Sequence, residues 1–75
     1  MKTKEQVKAA VAQNIKRFKK SEKMTYDDIG GITGVDERNI KAWVTGETSP
    51  SLYNAYLLSD AMGLTLNELI NEQVS

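Results

Sequence analysis

The segment TYDDIGGITGVDERNIKAWVTG, residues 25–46, contains two residues that can cap the start of a helix, each followed by a glycine that can end one. Thr25 can cap a first helix, two aspartates follow where the helix dipole favours negative charge, and Gly34 can end it. Asp36 can cap a second helix, and Gly46 stands just after its end. Two short helices joined by a tight turn are therefore predicted, which is a helix-turn-helix arrangement.

The apolar residues of this segment are spaced so that they face one core. The two predicted helices cover about 26–33 and 37–44. Gly30 is predicted at the point where the two helices pass too closely for a larger side chain. The residues predicted to point into the core are Ile29, Val35, Ile40 and Trp43.

A longer helix is predicted before this segment, from Thr3 to about Lys20. Thr3 is a suitable N-cap, and the last turn is rich in cations, which the C-terminal end of a helix dipole favours. Its apolar residues recur at spacings that place them on one stripe of the helix surface. That stripe consists of Val7, Val11, Ile15 and Phe18.

Two further helices are predicted after the segment. Ser49 followed by Pro50 is typical of a cap and a first helical residue, and this helix extends to Met62. Thr65 and Glu68 have the spacing of a capping box for a short fifth helix. Since no segment alternates for long enough to form a strand, the predicted fold class is all-α. The predicted inner face of the fourth helix consists of Leu52, Ala55, Leu58 and Met62.

Length and composition narrow the possible functions. A chain of 75 residues is predicted to form one domain over 1–75, because a second core would not fit. It has no cysteine and no histidine, which removes disulfides, the usual zinc ligands, thiol nucleophiles and imidazole catalysis. Neither an enzyme nor a cofactor, metal or small-molecule ligand is predicted. Apolar runs are only a few residues long, so no membrane segment is predicted and a cytoplasmic location is expected.

Charge is unevenly distributed along the chain, although the formal net charge is zero. Zero net charge argues against strong non-specific attraction to nucleic acid, because lysine and arginine supply most of that affinity. The acids are spread more evenly than the bases, so one side of the protein can still carry a positive field. The basic residues that precede residue 24 are Lys2, Lys4, Lys8, Lys16, Arg17, Lys19, Lys20 and Lys23.

Three stretches resemble successive parts of one family. MTYDDIGGITGV resembles the second helix and turn, DERNIKAWVTG the recognition helix, and PSLYNAYLLSDAMGLTLNELI the two trailing helices of the lambda-repressor-like helix-turn-helix regulators. That group contains phage repressors, Cro-like proteins and the controller proteins of restriction-modification systems. The resemblance covers roughly Ile15 to Ile70. It implies a compact five-helix bundle in which the helix-turn-helix unit spans about 25–46.

The sequence departs from the family pattern in three places. Tyr26 stands where members often have a glutamine that braces a phosphate, and it can still donate one hydrogen bond. Lys19 and Val44 stand where other members have an arginine paired with a glutamate. Ile32 occupies a place that is usually polar, where it can either pack or serve as an exposed contact for a protein.

The outward side chains of the third helix suit the edges of DNA bases. Arginine can bond guanine O6 and N7, glutamate can accept from cytosine N4, asparagine can pair with adenine, and alanine can pack on the thymine methyl group. The predicted base contacts are Glu37, Arg38, Asn39, Lys41 and Ala42, of which the resemblance favours Glu37, Arg38 and Ala42. The predicted phosphate contacts are Tyr26, Thr45 and Thr48.

Simpler roles stay open for several of these residues. Asp36 and Glu37 can act only as the cap and the dipole partner of their helix. Arg38 and Lys41 can form an ordinary solvated face. The cluster Lys16–Lys20 is predicted as a solvated helix end rather than a phosphate contact, since cations at a helix C-terminus already have a dipole reason to be there.

The predicted function is that of a sequence-specific DNA-binding transcriptional regulator, either a phage or prokaryotic repressor or a Cro-like protein. Its recognition helix, over 36–45, is expected in the major groove. A homodimer on an inverted repeat in a double-stranded DNA operator is expected, since one module buries too little surface for useful specificity. The resemblance places the dimer interface near the fifth helix, with Leu66, Ile70 and the tail as candidates. A second candidate surface consists of Tyr53, Tyr56 and Leu57.

The alternative is a helix-turn-helix module that binds another protein, such as an antirepressor or an antitoxin. Zero net charge and Ile32 favour this alternative. The two hypotheses differ in salt dependence, because a protein that binds phosphates loses affinity steeply as the salt concentration rises.

Overall fold

Five helices are found in the computed structural model, which describes residues 2–71. They are α1 (Lys4–Ser21), α2 (Tyr26–Thr33), α3 (Glu37–Val44), α4 (Leu52–Met62) and α5 (Leu66–Leu69). No strand occurs within 2–71, and the predicted all-α fold with a helix-turn-helix is confirmed. In the same range, no helix combines the length and the hydrophobicity that crossing a membrane requires.

Each helix begins at a side chain that caps its first turn. In α2, the Thr25 hydroxyl accepts from the Asp28 N–H at 3.1 Å, and the Asp28 carboxylate accepts from the Thr25 N–H at 2.9 Å. Such reciprocal bonds satisfy backbone donors that have no partner inside the helix, so they fix where the helix starts. The five capping residues are Thr3, Thr25, Asp36, Ser51 and Thr65.

The core receives apolar side chains from all five helices and from the turn between α2 and α3. Full burial of one side chain of this size contributes about 1.5–3 kcal/mol relative to exposure. The predicted inward positions of the helix-turn-helix are confirmed, and Val7 and Phe18 of the α1 stripe pack at the edge of the core. The buried cluster consists of Val11, Ile15, Ile29, Val35, Ile40, Trp43, Leu58 and Leu69.

The predicted start of the fourth helix is wrong by two residues. Ser51, not Ser49, is the cap, and its hydroxyl accepts from the Asn54 N–H at 3.2 Å. Pro50 therefore precedes the helix instead of opening it. Leu52 becomes the first helical residue and is 77% exposed, so its predicted place on the inner face is also wrong. The rest of that face packs as expected, with Leu58 fully buried.

A buried asparagine fastens the end of α5 to α1. Asn14 is 2% exposed, and its side-chain amide donates to the backbone carbonyls of Glu68, Leu69 and Asn71 at 3.2, 2.8 and 3.0 Å. Carbonyls at a helix C-terminus have no partner inside the helix, so a buried amide that satisfies them holds α5 in place. Sequence reasoning missed this residue because its partners lie more than fifty positions away.

Candidate nucleic-acid interface

A close contact between α2 and the start of α3 fixes the angle between these helices. A Cβ placed on Gly30 would lie 2.8 Å from the Val35 carbonyl oxygen and 3.9 Å from Cδ1 of Ile40. Only glycine permits this approach, so the prediction made for Gly30 is confirmed. Gly34 ends α2 in the left-handed conformation, with φ of 78°, which glycine adopts without steric cost.

The turn is held by a second set of contacts at Thr33, which is buried. Its hydroxyl donates to the Ile29 carbonyl at 2.7 Å and accepts from the Val35 N–H at 3.2 Å. A buried hydroxyl bonded on both sides restrains the backbone on each side of the turn. The first turn of α3 is thus positioned by the chain that precedes it.

Burial of one side of α3 determines which side chains are presented to solvent. Ile40 is 0% and Trp43 4% exposed, so this side of the helix belongs to the core. At 3.6 residues per turn, Arg38 and Lys41 lie on the opposite side. Their side chains are 91% and 56% exposed.

The other predicted base contacts lie around this exposed side. Glu37 and Ala42 are half-buried, and Asn39 is exposed but closer in helical angle to Trp43 than the rest. The five predicted side chains of α3 are therefore all at least partly accessible to solvent, and Arg38 and Lys41 are not covered by the others. The assignment of these residues to individual bases stays a prediction.

Both cations of α3 form ion pairs with acids at the start of the same helix. Arg38 Nε lies 3.5 Å from Asp36 Oδ1, and Lys41 Nζ lies 3.4 Å from Glu37 Oε1. The backbone N–H of Arg38 donates to Asp36 at 2.8 Å and lowers the pKa of that carboxyl below its ordinary value of 3.8. Asp36 is therefore negatively charged at neutral pH. The i,i+4 spacing of Glu37 and Lys41 could have indicated their pair from sequence.

Tyr26, a predicted phosphate contact, lies against Lys19, a contact that the sequence did not predict. Tyr26 is the first residue of α2 and is half-buried against the core. Lys19 Nζ lies 4.9 Å from the centroid of its ring, a distance typical of a cation–π contact. Lys19, which stands where other members have an arginine, thus contacts Tyr26, which stands where members often have a glutamine.

The other two predicted phosphate contacts lie at the C-terminal end of α3. Thr45 and Thr48 are both exposed, and the Thr45 hydroxyl donates to the Ala42 carbonyl at 3.1 Å. The backbone N–H groups of Glu47 and Thr48 also donate to Ala42, at 2.9 and 3.4 Å. These bonds hold the loop after α3 against the end of that helix.

A cleft of about 280 Å³ lies between α1 and this end of α3. Lys8 and Lys16 line its α1 side, and Thr45 and Gly46 line the other. Glu5 also lines the cleft and pairs with Lys8, with Nζ and Oε1 4.0 Å apart, so Lys16 is the cation that the cleft places near a predicted phosphate contact. Whether the cluster Lys16–Lys20 is only a solvated helix end stays a prediction.

Exposed apolar side chains are found on α2, α4 and α5. Leu66, a predicted dimer contact, is 38% exposed, whereas Ile70 is half-buried. On α4, Tyr53 and Tyr56 are 68% and 53% exposed. Ile32 on α2 is 48% exposed, so it does not pack into the core. The tail that was also predicted to join the dimer interface lies, over 72–75, outside the described residues.

The fold and the exposed face of α3 define a helix-turn-helix protein. A model of the Cro/C1-type helix-turn-helix family matches residues 15–69, and the chain belongs to this family. Neither a curated protein nor a solved structure gives a significant match. Family membership supports a DNA-binding regulator in general and confirms the predicted resemblance.

Proposed function

We propose that this protein is a sequence-specific transcriptional regulator, a repressor or Cro-like protein whose recognition helix, over 36–45, enters the major groove of DNA. The observation that carries the proposal is the orientation of α3. Ile40 and Trp43 anchor one side in the core, while Arg38 and Lys41 extend from the other. This is the arrangement that a recognition helix needs to contact base edges.

Each outward side chain of α3 has a matching base edge. Arg38 is the strongest candidate, because its guanidinium can bond guanine O6 and N7 together. Glu37 suits the amino group of cytosine, Asn39 suits adenine, and Ala42 suits the methyl group of thymine. Lys41 suits guanine acceptors or a phosphate.

Phosphate contacts hold the helix in register and come from both ends of the helix-turn-helix. Tyr26 forms one contact through its hydroxyl, with the Lys19 ammonium over the ring of the same tyrosine. Thr45 and Thr48, which are exposed at the C-terminal end of α3, form the other. Such contacts supply affinity but little sequence preference.

The operator is an inverted repeat bound by a homodimer. Two copies related by a two-fold axis present their α3 helices to half-sites about 34–36 Å apart, one turn of DNA. The exposed Leu66 with Ile70 is one surface for the second copy, and Tyr53 with Tyr56 on α4 is the other. Both surfaces expose apolar or aromatic side chains that a second copy can cover.

Selection of bound duplexes from a random DNA pool tests the proposal. We expect enrichment of a sequence with two-fold symmetry, and affinity for it that falls steeply between 50 and 200 mM salt, by roughly 10³-fold for about six phosphate contacts. A pool without enrichment would overturn the proposal.

A protein-binding module is the second candidate function, because Ile32 is 48% exposed at a place that is usually polar. The affinity for a protein partner that binds around Ile32 would change little with salt, because an apolar contact releases few counterions. Weak salt dependence together with an unenriched DNA pool would therefore favour this second function.

A further inference from the structure

The Lys41–Glu37 ion pair places a carboxylate on the face that is proposed to meet DNA. Lys41 Nζ lies 3.4 Å from Glu37 Oε1, and the Glu37 side chain is 41% exposed. We infer that Glu37 determines specificity by weakening binding to wrong sequences. Its carboxylate loses the Lys41 ammonium when DNA binds, and only a hydrogen-bond donor on the right base replaces it. This inference rests on the proposed function and goes beyond it, because it assigns Glu37 a role at the wrong sequences.

Binding to a wrong sequence breaks this pair and gives only Lys41 a new partner. An exposed ion pair is weak, so a nearby phosphate can draw Lys41 away from Glu37. The Glu37 carboxylate is then left without its cation at the surface of a polyanion. The Debye length at physiological salt is about 8 Å, so phosphates at the edge of the groove still repel it.

Binding to the right sequence replaces the lost partner. A cytosine amino group can donate to the Glu37 carboxylate, while Lys41 turns to an acceptor on a neighbouring base or phosphate. The other base edges in the major groove offer this carboxylate mainly acceptors, apart from the amino group of adenine. The free energy spent in separating Glu37 from Lys41 is thus recovered chiefly where cytosine stands opposite Glu37.

The second ion pair of α3 provides a matched control. Asp36 also faces a cation, with Arg38 Nε at 3.5 Å, but it keeps the Arg38 backbone N–H at 2.8 Å. That backbone bond is present whether or not the guanidinium leaves for DNA. Because Asp36 keeps this bond, it needs no base donor, and Asp36→Asn should leave the base preference opposite Glu37 unchanged. Asparagine caps a helix as well as aspartate does.

The test measures two variants against two duplexes. Wild type, Glu37→Gln and Asp36→Asn are titrated, by fluorescence anisotropy, into the duplex selected by the wild type and into a scrambled duplex of equal composition. For Glu37→Gln we expect the scrambled duplex to bind about 3- to 10-fold tighter and the selected duplex no tighter. For Asp36→Asn we expect the preference for cytosine opposite Glu37 to be retained. Thermal unfolding of each variant checks that the fold is retained.

A third variant tests whether Lys41 mediates the effect. In a Lys41→Gln background, Glu37→Gln should tighten binding to the scrambled duplex less than it does with Lys41 present, because no pair is left to break. Selection with Glu37→Gln should also lose the cytosine preference at one position of each half-site. Equal tightening in both backgrounds would overturn the inference.

The outcomes separate the inference from the proposed function. If wild type prefers its selected duplex and Glu37→Gln shifts both duplexes by one factor, the inference fails and the proposed function stands. If wild type binds neither duplex, both fail.

Discussion

The carbonyl oxygen of Val35 lies 2.8 Å from the point that a Cβ on Gly30 would occupy. A backbone oxygen cannot move aside as the end of a flexible side chain can. This contact therefore sets how closely α2 approaches the start of α3, and through it the direction in which Arg38 and Lys41 extend.

Gly30→Ala should lower the free energy of unfolding by about 1–3 kcal/mol, because an extra methyl group in a tight contact forces the backbone to shift. Gly31→Ala is the matched control, since its added Cβ would point into open space, with no atom from outside the surrounding helix backbone within 4 Å. Alanine is also the better helix former, so Gly31→Ala should stabilise by up to about 1 kcal/mol. Urea unfolding followed by circular dichroism measures both, and equal effects would contradict the role assigned to Gly30.

Asn14→Leu should cost about 1–3 kcal/mol of stability, because it removes the donor shared by three carbonyl groups at the end of α5. Gln13→Ala, at the exposed neighbouring position, should stay within about 0.5 kcal/mol of wild type. Urea unfolding compares the two. If Asn14→Leu were as stable as wild type, the amide would not be what holds α5.

Acid should destabilise the protein in part through Asp28. The Thr25 N–H donates to this carboxylate at 2.9 Å and lowers the pKa of Asp28 below 3.8. Since the pKa is lower in the folded than in the unfolded chain, the stabilisation is present above the unfolded value and is lost as the pH falls through the folded one.

Asp28→Asn keeps an acceptor for the Thr25 N–H but does not titrate in this range. The free energy of unfolding should therefore fall less for Asp28→Asn than for wild type as the pH is lowered from about 5 to about 2. Urea unfolding at several pH values provides the comparison. Identical pH profiles would show that the bond to Thr25 does not couple to folding.

The fifth helix is the surface expected to pair two copies on the operator. Leu66→Ser should weaken binding to the inverted repeat more than binding to a single half-site, because only the repeat gains from contact between copies. Tyr56→Ser, on the competing surface of α4, should leave this ratio unchanged. Anisotropy titrations with the two duplexes measure the ratio of the two affinities. A ratio that falls for Tyr56→Ser but not for Leu66→Ser would place the interface on α4 instead.

The helix-turn-helix could be predicted from the sequence because its boundaries depend on local chemistry. Thr25, Gly34 and Asp36 cap or end their helices through bonds to residues only a few positions away. Such short-range contacts are visible as spacings. The helices predicted over about 26–33 and 37–44 therefore coincide with α2 and α3.

Other features depend on contacts that spacing does not reveal. Asn14 occurs in the middle of an apolar stripe, and nothing near it in sequence indicates the carbonyls of α5 as partners. Two serines flank Pro50, and local pattern alone favoured the wrong one as the cap of α4. The contact of Lys19 with Tyr26 depends on how α1 crosses the start of α2.

The most direct test of α3 as a recognition helix is the effect of Arg38→Ala on the duplex that wild type selects. Lys4→Ala removes the same charge from the exposed start of α1 and serves as the control. We expect Arg38→Ala to lower affinity for the selected duplex by roughly 5- to 150-fold and to abolish the preference for guanine at one position of each half-site. Lys4→Ala should weaken all duplexes slightly and alike. Arg38→Ala that binds the same sequence with unchanged affinity would contradict the assignment.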